Sequence, residues 1–174
     1  MPHDPAFQPH DHSPCRDSVM ASARRIAEGE GLRLTPIRLR VLEILAESHR
    51  PLGAYDVLER LAEEGHPRQP PLAYRALDFL CANGLAHRIN RLNAFTACRA
   101  PGQVHVPSFL ICRACGRVAE AAAPAVARAV ERLAGDEGFV PDPVGVEALG
   151  LCPLCATGEA GEAGAPEAAA EGRA

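Results

Sequence analysis

The chain has 174 residues, of which 47% are hydrophobic and 23% charged, so it is long enough for one or two domains with a real core. Aromatic residues make up 4% and Trp is absent, so that core should be aliphatic. No uncharged apolar stretch is as long as a membrane span, which needs about 18–20 residues. The first 16 residues also lack the apolar stretch of a signal peptide. These features predict a soluble, cytoplasmic protein with no membrane partner.

The formal net charge of −4 argues, taken alone, against binding to nucleic acid. The charge is unevenly distributed, however. Residues 33–100 contain 10 Arg and 7 acidic residues, a net of +3, whereas residues 101–174 contain 5 Arg and 10 acidic residues, a net of −5. The first half of the chain is therefore compatible with DNA binding.

Two tails differ in composition from the rest. Residues 1–16 are rich in Pro and His, residues 157–174 are rich in Gly, Ala and Glu, and neither is periodic, so both are predicted to be disordered. The histidines of the first tail are able to bind metal, but a flexible tail is the simpler interpretation. Cys15 and Cys81 are interpreted as incidental thiols.

Helical and strand patterns between the tails predict a domain over residues 17–100. In chain order they indicate helices over residues 17–30, from Pro36 onward, 54–64 and 70–83, and strands over residues 85–90 and 94–98. Thr35 and Pro36 form a helix start, because Thr caps free N–H groups and Pro has none to satisfy. The last three of these helices, followed by the β-hairpin, outline a winged helix-turn-helix. A small α+β core with no nucleic-acid role is the alternative.

A Pro-Gly joint at residues 101–102 precedes a second domain over residues 103–156. Its predicted elements are strands over residues 107–111 and 117–121, a helix over 124–137 and a strand over 140–151. A unit of this size is usually stabilised by a metal ion or by dimerisation.

Two CxxC pairs form the strongest motif, Cys112 with Cys115 and Cys152 with Cys155. Two intervening residues let both sulfurs of a pair bind one ion, so the pairs supply the four thiolates of a closed, structural zinc site. Reduced cysteines in an intracellular protein favour this interpretation over disulfides. A thioredoxin-type redox role needs only one CxxC and leaves the other unexplained.

A second ligand set combines residues that, taken singly, are more often core or surface residues. His87 and Cys98 lie on the two predicted wing strands, His105 follows the joint, and Glu120 lies on the strand after the first CxxC. Two imidazoles, a thiolate and a carboxylate suit Zn²⁺, whereas Mg²⁺ and Ca²⁺ prefer oxygen ligands. An ion held by all four would fix one domain against the other.

Four segments resemble motifs of the ferric uptake regulator superfamily, and within it the zinc-uptake branch. They are LTPIR at residues 34–38, AYD at 54–56, PPLAYRALDFL at 70–80 and FLICRACG at 109–116. The iron- and peroxide-sensing branches typically carry a His-rich run with an Asp before the first CxxC. Residues 104–108 contain one His and no Asp, which favours zinc over Fe²⁺.

The resemblance implies an α+β fold, with an N-terminal winged helix-turn-helix domain followed by a small α/β dimerisation domain. It implies a homodimeric, zinc-dependent repressor of zinc-uptake genes that binds palindromic operator DNA. Two zinc ions per chain are expected, one regulatory at His87, Cys98, His105 and Glu120, and one structural at the four CxxC cysteines. No small-molecule substrate other than the metal ion is expected.

Three residues are candidates for DNA contact. Ala73, Leu77, Leu80 and Cys81 recur at helical spacing and should face the core, which leaves Tyr74 and Arg75 exposed near the start of the recognition helix. Arg there can pair with guanine or phosphate, and Tyr can contact phosphate or a thymine methyl group. Tyr55 resembles a further family DNA contact. Packing of Tyr74 and an ion pair of Arg75 with Asp78 are the structural alternatives.

Two rival functions use the same residues. One is another regulator of the superfamily that senses iron, manganese or nickel. The other is a zinc-ribbon enzyme with an open zinc at His87, Cys98 and His105 and with Glu120 as general base. No nucleophile or substrate pocket is indicated, so a non-enzyme is expected.

Overall fold

The computed structural model describes residues 5–103, 105–140 and 145–159, and all structural statements below refer to these residues. The elements are α1 (Ser13–Glu30), α2 (Pro36–Ala46), α3 (Ala54–Glu63), α4 (Pro70–Ala82), β1 (Ala86–Ile89), β2 (Ala94–Ala97), β3 (Pro107–Cys112), β4 (Val118–Ala122), α5 (Pro124–Asp136), β5 (Val146–Gly150) and α6 (Pro153–Thr157). Two 3₁₀ turns, Pro5–Phe7 and Asn90–Leu92, complete the described structure. None of the described helices combines the length and apolar character needed to cross a bilayer.

Helices α1–α4 and the β1–β2 hairpin share one aliphatic core, the arrangement of a winged helix-turn-helix. Val41 of α2, Val57 and Leu61 of α3 and Leu77 and Leu80 of α4 are completely buried in it. Leu52 forms an isolated antiparallel β-bridge with Phe95 of the hairpin. The Leu52 N–H donates to the Phe95 carbonyl at 3.0 Å, and the Phe95 N–H donates to the Leu52 carbonyl at 2.8 Å. The predicted winged-helix topology is confirmed.

The helix starts use the chemistry that the sequence indicated. The Thr35 side chain accepts a hydrogen bond from Arg38 N–H at 3.4 Å, which caps α2. At α3 the Asp56 carboxylate accepts from Gly53 N–H at 2.8 Å. Beyond the end of α4, Gly84 has φ +62°, a conformation that a residue with a Cβ rarely adopts. These caps fix where each helix begins or ends.

The second sheet has the strand order β4-β3-β5. β3 pairs antiparallel with β4 and parallel with β5, and α5 lies in the connection between β4 and β5. The predicted strand over residues 140–151 is shorter in the structure, with β5 at Val146–Gly150, and residues 141–144 lie outside the described part. The predicted strand is followed by a short helix, α6, that the sequence analysis missed.

The wing packs directly on the second sheet. Ile89 at the end of β1 is completely buried against Phe109, Ile111 and Val118. In addition, the Glu147 carboxylate on β5 accepts hydrogen bonds from the backbone N–H groups of Asn90 and Arg91, at 2.7 and 2.9 Å. Apolar packing and a charged hydrogen-bond acceptor therefore both connect the wing to the sheet.

The N-terminal segment differs from the prediction of a disordered tail over residues 1–16. Residues 5–16 are folded: Ala6 and Phe7 are buried, and α1 begins at Ser13 instead of Asp17. The reason is partly local, because Pro14 lies in the first turn of α1, where proline is favoured. It is also tertiary, because Phe7 packs against Cys112 and Cys152, far along the chain. Residues 1–4 and 160–174 of the two predicted tails lie outside the described part.

The aliphatic core predicts a large difference between two Leu→Ala substitutions. Leu77 is completely buried whereas Leu92 in the wing turn is 40% exposed. We expect Leu77→Ala to lower the free energy of unfolding by about 2–5 kcal/mol, because removing the buried leucine side chain beyond its Cβ leaves a cavity. Leu92→Ala should cost less than about 1 kcal/mol. Urea denaturation of the zinc-loaded protein measures both, and equal losses would contradict this assignment of the core.

Candidate metal centres and DNA-facing surface

The four CxxC cysteines meet at the end of the second sheet. Cys112 is the last residue of β3 and Cys115 lies in the turn after it, while Cys152 caps α6 and Cys155 lies within that helix. Their sulfur atoms all lie within 4.8 Å of one another, and all four are free thiols. The turn of the first pair needs Gly116, which has φ +70°.

The spacing of these sulfurs fits a tetrahedral zinc site. With Zn–S bonds of about 2.3 Å, tetrahedral geometry places two sulfurs about 3.8 Å apart. The sulfurs of Cys115 and Cys152 are 3.9 Å apart. Four thiolates leave no open position for a substrate, so the donor set suits a structural ion.

The backbone around Cys112 favours its thiolate form. Burial raises the pKa of this thiol, but backbone N–H groups of Cys152, Cys115 and Ala114 outweigh burial and lower it below its ordinary value. The N–H of Cys152 donates to the Cys112 sulfur at 3.3 Å. A thiolate is the form that binds metal, so the fold favours the ligand state before any ion is present.

The second ligand set comes together between the wing and the second sheet. His87 lies on β1, Cys98 directly follows β2, His105 precedes β3, and Glu120 lies on β4. One potential ligand atom from each lies within 4.8 Å of the others. Cys98 is completely buried and the side chain of Glu120 is only 6% exposed. The structure therefore brings together residues that are up to 33 positions apart in the sequence.

Distances within this group also suit a four-coordinate ion. The Cys98 sulfur lies 3.7 Å from His105 Nε2, close to the about 3.6 Å expected between sulfur and nitrogen ligands of tetrahedral zinc. His87 Nε2 lies 3.2 Å from the Glu120 carboxylate but is not aligned for a hydrogen bond, so it is a buried nitrogen without a hydrogen-bond partner in the described structure. This nitrogen lies beside the same carboxylate oxygen as His105 Nε2, so one ion placed there would be within reach of all three residues.

Two neighbours orient the ligands, and the sequence analysis missed both. The Nδ1–H of His105 donates to the Gln103 carbonyl at 2.8 Å, which directs Nε2 toward Cys98 and Glu120. The backbone N–H of Arg99 donates to the second oxygen of Glu120 at 2.9 Å. Neither partner has a sequence signal, because both act through backbone atoms.

Protons occupy this group when no metal does. Burial and the Glu120 carboxylate raise the pKa of the Cys98 thiol to about 12, so Cys98 is a thiol at neutral pH. Burial lowers the pKa of His105, but its bonds to Gln103 and Glu120 outweigh burial and raise it. His105 Nε2 lies 2.7 Å from Glu120, the distance of a charge-assisted hydrogen bond in which the ring donates to the carboxylate. Metal binding must therefore displace protons.

The candidate DNA-contacting residues share one surface of the winged helix. Tyr55 at the start of α3 and Tyr74 on α4 are 65% and 41% exposed, with their rings perpendicular and 6.5 Å apart. Arg75 is exposed beside Tyr74 and forms no ion pair with Asp78 within the described residues. Ala73, Leu77 and Leu80 face the core as predicted, and Cys81 is half-buried against it.

Comparison with known proteins identifies similar sequences. A profile described as "Ferric uptake regulator family" matches residues 29–148. The zinc uptake regulation proteins of Escherichia coli (strain K12) and Shigella flexneri are each 36% identical to this chain over 143 residues, covering 82% of this chain and 84% of the relative.

Solved structures with similar sequences share the fold. A zinc uptake regulator complexed with zinc and DNA superposes with a TM-score of 0.78 at 36% identity, covering 83% of this chain and 97% of that chain. The crystal structure of holo XcZur gives a TM-score of 0.74 at 39% identity, covering 81% and 99%. These likenesses support the α+β fold class, with a winged helix before an α/β unit.

Proton displacement gives a prediction for the second ligand set. We expect zinc binding there to release one proton from Cys98 at neutral pH, and a further proton below the raised pKa of His105. Because protons compete with the ion, zinc affinity should rise with pH by about tenfold per unit for each proton released. Isothermal titration calorimetry in buffers of different ionisation enthalpy measures the number of protons.

Cys98→Ala should release one proton fewer than the unmodified chain. Cys81→Ala is the matched control. Cys81 is also a thiol whose pKa burial raises, to about 11, but it lies outside both ligand groups. Equal proton release by the Cys98→Ala variant and the unmodified chain would show that Cys98 is not a ligand.

Proposed function

Because this chain belongs to the ferric uptake regulator family, we propose that it is a zinc-responsive transcriptional repressor that binds operator DNA as a homodimer and represses zinc-uptake genes. One observation carries the proposal: the meeting of His87 and Cys98 from the wing with His105 and Glu120 from the second unit. We place this activity in the cytoplasm, where thiols stay reduced.

Two zinc ions per chain follow from the two donor sets. The four CxxC cysteines would hold the structural ion and stabilise the fold of the second sheet. His87, Cys98, His105 and Glu120 would hold the regulatory ion. Four thiolates bind zinc more tightly than a mixed set of two imidazoles, one thiolate and one carboxylate, so the regulatory position is the one that empties when zinc is scarce.

The regulatory ligands give the chain a way to couple metal to geometry. Their positions on both sides of the joint mean that a filled site would fix the wing against the second sheet. Changing the chain from mostly loose to mostly fixed requires about 10⁴-fold tighter binding of the ion by the fixed arrangement. Ile89 and Glu147 already favour that arrangement, which lowers the preference that the ligands must supply.

The surface of Tyr55, Tyr74 and Arg75 supports the DNA-binding part of the proposal. Its residues lie at or near the N-terminal ends of the two helices of a helix-turn-helix, the position that meets base edges in the major groove. Three other arginines of this unit are paired with carboxylates: Arg40 contacts Glu43, Glu47 and Glu64, Arg60 contacts Glu47, and Arg68 contacts Glu59. Recognition therefore depends on a few placed side chains more than on bulk positive charge.

Exposed apolar side chains of the second unit support a homodimer. Val126 and Leu133 on α5 are 41% and 65% exposed, while the smaller Ala127 and Ala134 are buried. Leu110 on β3 and Leu149 on β5 are also exposed. A second copy that covers this surface would place two winged helices on the two half-sites of a palindromic operator.

The rival functions fit the donor sets less well. Iron- or manganese-sensing sites favour nitrogen and oxygen ligands, whereas Cys98 contributes a sulfur. In the enzyme alternative Glu120 must act as a free general base, yet its carboxylate is held by His105 and by the backbone of Arg99. We therefore propose a non-enzyme that responds to zinc.

Zinc dependence of DNA binding tests the proposal. We expect the purified chain to select palindromic duplexes from random-sequence DNA when zinc is in excess, and to lose them when a chelator empties the regulatory site. Gel-shift titration measures the binding. Cys98→Ala should abolish the zinc response while leaving the structural zinc in place. DNA binding that ignores zinc, or that responds better to Fe²⁺, would contradict the proposal.

A second experiment tests the DNA-facing surface. Arg75→Ala should weaken binding of the selected duplex by about 1–3 kcal/mol, because a base or phosphate contact of that kind is lost. Arg60→Ala is a matched control, since the Arg60 guanidinium is already paired with Glu47. The same gel-shift titration at fixed salt compares the two variants, and an equal effect of both would refute the assignment of Arg75.

A further inference from the structure

A third group of potential ligands lies where the N-terminal segment meets the end of α2. Imidazole nitrogens of His10, His12 and His49 lie within 4.8 Å of one another, and their three rings are 4.4–5.1 Å apart. The thiol of Cys15 is 3.5 Å from His10 Nε2. We propose that these three imidazoles form a third transition-metal site that suits Zn²⁺. Cys15 lies outside the set of mutually close ligand atoms, so it would become a fourth ligand only by moving its sulfur toward the ion.

The interatomic distances match those between ligands of one tetrahedral ion. With Zn–N bonds of about 2.0–2.1 Å, two nitrogen ligands lie about 3.3 Å apart, and a nitrogen and a sulfur ligand lie about 3.6 Å apart. The Nε2 atoms of His10 and His49 are 3.3 Å apart, and the Cys15 sulfur lies 3.5 Å from His10 Nε2. His12 completes the three imidazoles, with a ring nitrogen within 4.8 Å of the ligand atoms of His10 and His49.

The hydrogen bonds around the group leave ligand electron pairs pointing inward. The Nδ1–H of His10 donates to the Gln8 carbonyl at 3.0 Å, which directs the Nε2 electron pair toward His49 and Cys15. His105 is oriented in the same way by Gln103 in the regulatory set. The Nδ1 atom of His12 is buried without a hydrogen-bond partner in the described structure, a costly arrangement unless the ring serves another purpose.

The site also has a firm base and an entry path. The carbonyl of His49 accepts a hydrogen bond from Val118 N–H at 2.9 Å, so the residue is attached to the start of β4. A cavity of about 290 Å³ is lined by Cys15, His49 and Glu120 among others, which gives ions access from solvent. Arg117 adds positive charge near His12, so this site should hold zinc more weakly than four thiolates do.

Filling this site would fasten the N-terminal segment to the winged helix. The same segment carries Phe7, which covers Cys112 and Cys152 at the structural site. A third ion would therefore also hold Phe7 in its position over the cysteines of the structural site. This function is additional to the proposed zinc-responsive repression and does not depend on it.

Zinc stoichiometry of the full chain tests the site. We expect elemental analysis and calorimetric titration to find three zinc ions per chain, and two in His49→Ala and in a His10→Asn/His12→Asn variant that leaves α2 unchanged. His66→Ala, a histidine outside all three groups, and His3→Ala, in the same N-terminal stretch, should keep three. The same zinc count in His49→Ala as in the unmodified chain, or loss of one ion in His3→Ala but not in His49→Ala, would overturn the proposal. An absent regulatory ion would instead lower the count of every variant equally.

Cobalt substitution tests the role of Cys15 separately. Co²⁺ bound by a thiolate shows a sulfur-to-metal charge-transfer band, so filling the third site of the zinc-loaded chain with Co²⁺ should produce one. Cys15→Ala should remove that band, and Cys81→Ala should not. A band that persists in Cys15→Ala would remove Cys15 from the ligand set.

Discussion

The buried carboxylate of Glu120 is the constraint around which the two halves of this chain are arranged. Its side chain is 6% exposed, and a charge so far from water must be compensated. The compensation comes from the backbone N–H of Arg99, from the ring of His105, and from the wing through His87 and Cys98. The two imidazoles and the thiol are also metal-ligand groups, so a cation satisfies the carboxylate and its neighbours together, which a proton on one of them does not.

Contacts elsewhere prepare the same arrangement without any ion. Ile89 carries the apolar contact of the wing with the second sheet, and Glu147 binds the backbone of the wing turn. His49 joins the end of α2 to the start of β4, the strand that carries Glu120. The four residues of the mixed donor set thus lie at an interface that is already packed, which limits how far binding of an ion must move them.

The chemistry of the two CxxC pairs differs from that of the mixed set in a way that suits their separate roles. Backbone N–H groups stabilise the thiolate of Cys112, whereas burial beside a carboxylate keeps Cys98 protonated. Cys112 is therefore ready to bind a metal ion, whereas Cys98 must first give up a proton. Cys112 is an exception within its own set, because burial raises the pKa of Cys115, and burial together with the neighbouring thiols raises that of Cys155 to about 12.

The sequence by itself determined the local elements and the donor types. Thr35, Pro36 and Gly84 set helix ends through backbone chemistry that acts within a few residues, and aliphatic spacing placed Leu77 and Leu80 in the core. The CxxC spacing indicated its metal chemistry because both ligands of a pair lie on one short turn. The composition of residues 5–16, in contrast, wrongly indicated disorder, because it carries no sign of the distant partners of this segment.

Only the tertiary structure decided which distant groups meet. The partners of Phe7 and of His49 are separated from them by tens of residues, and no local rule relates such positions. The orienting roles of Gln103 and Arg99 rest on backbone atoms, which every residue has, so the sequence carries no sign of them. Periodicity and spacing act over one turn or one strand, whereas the closing of a metal site depends on how whole elements pack.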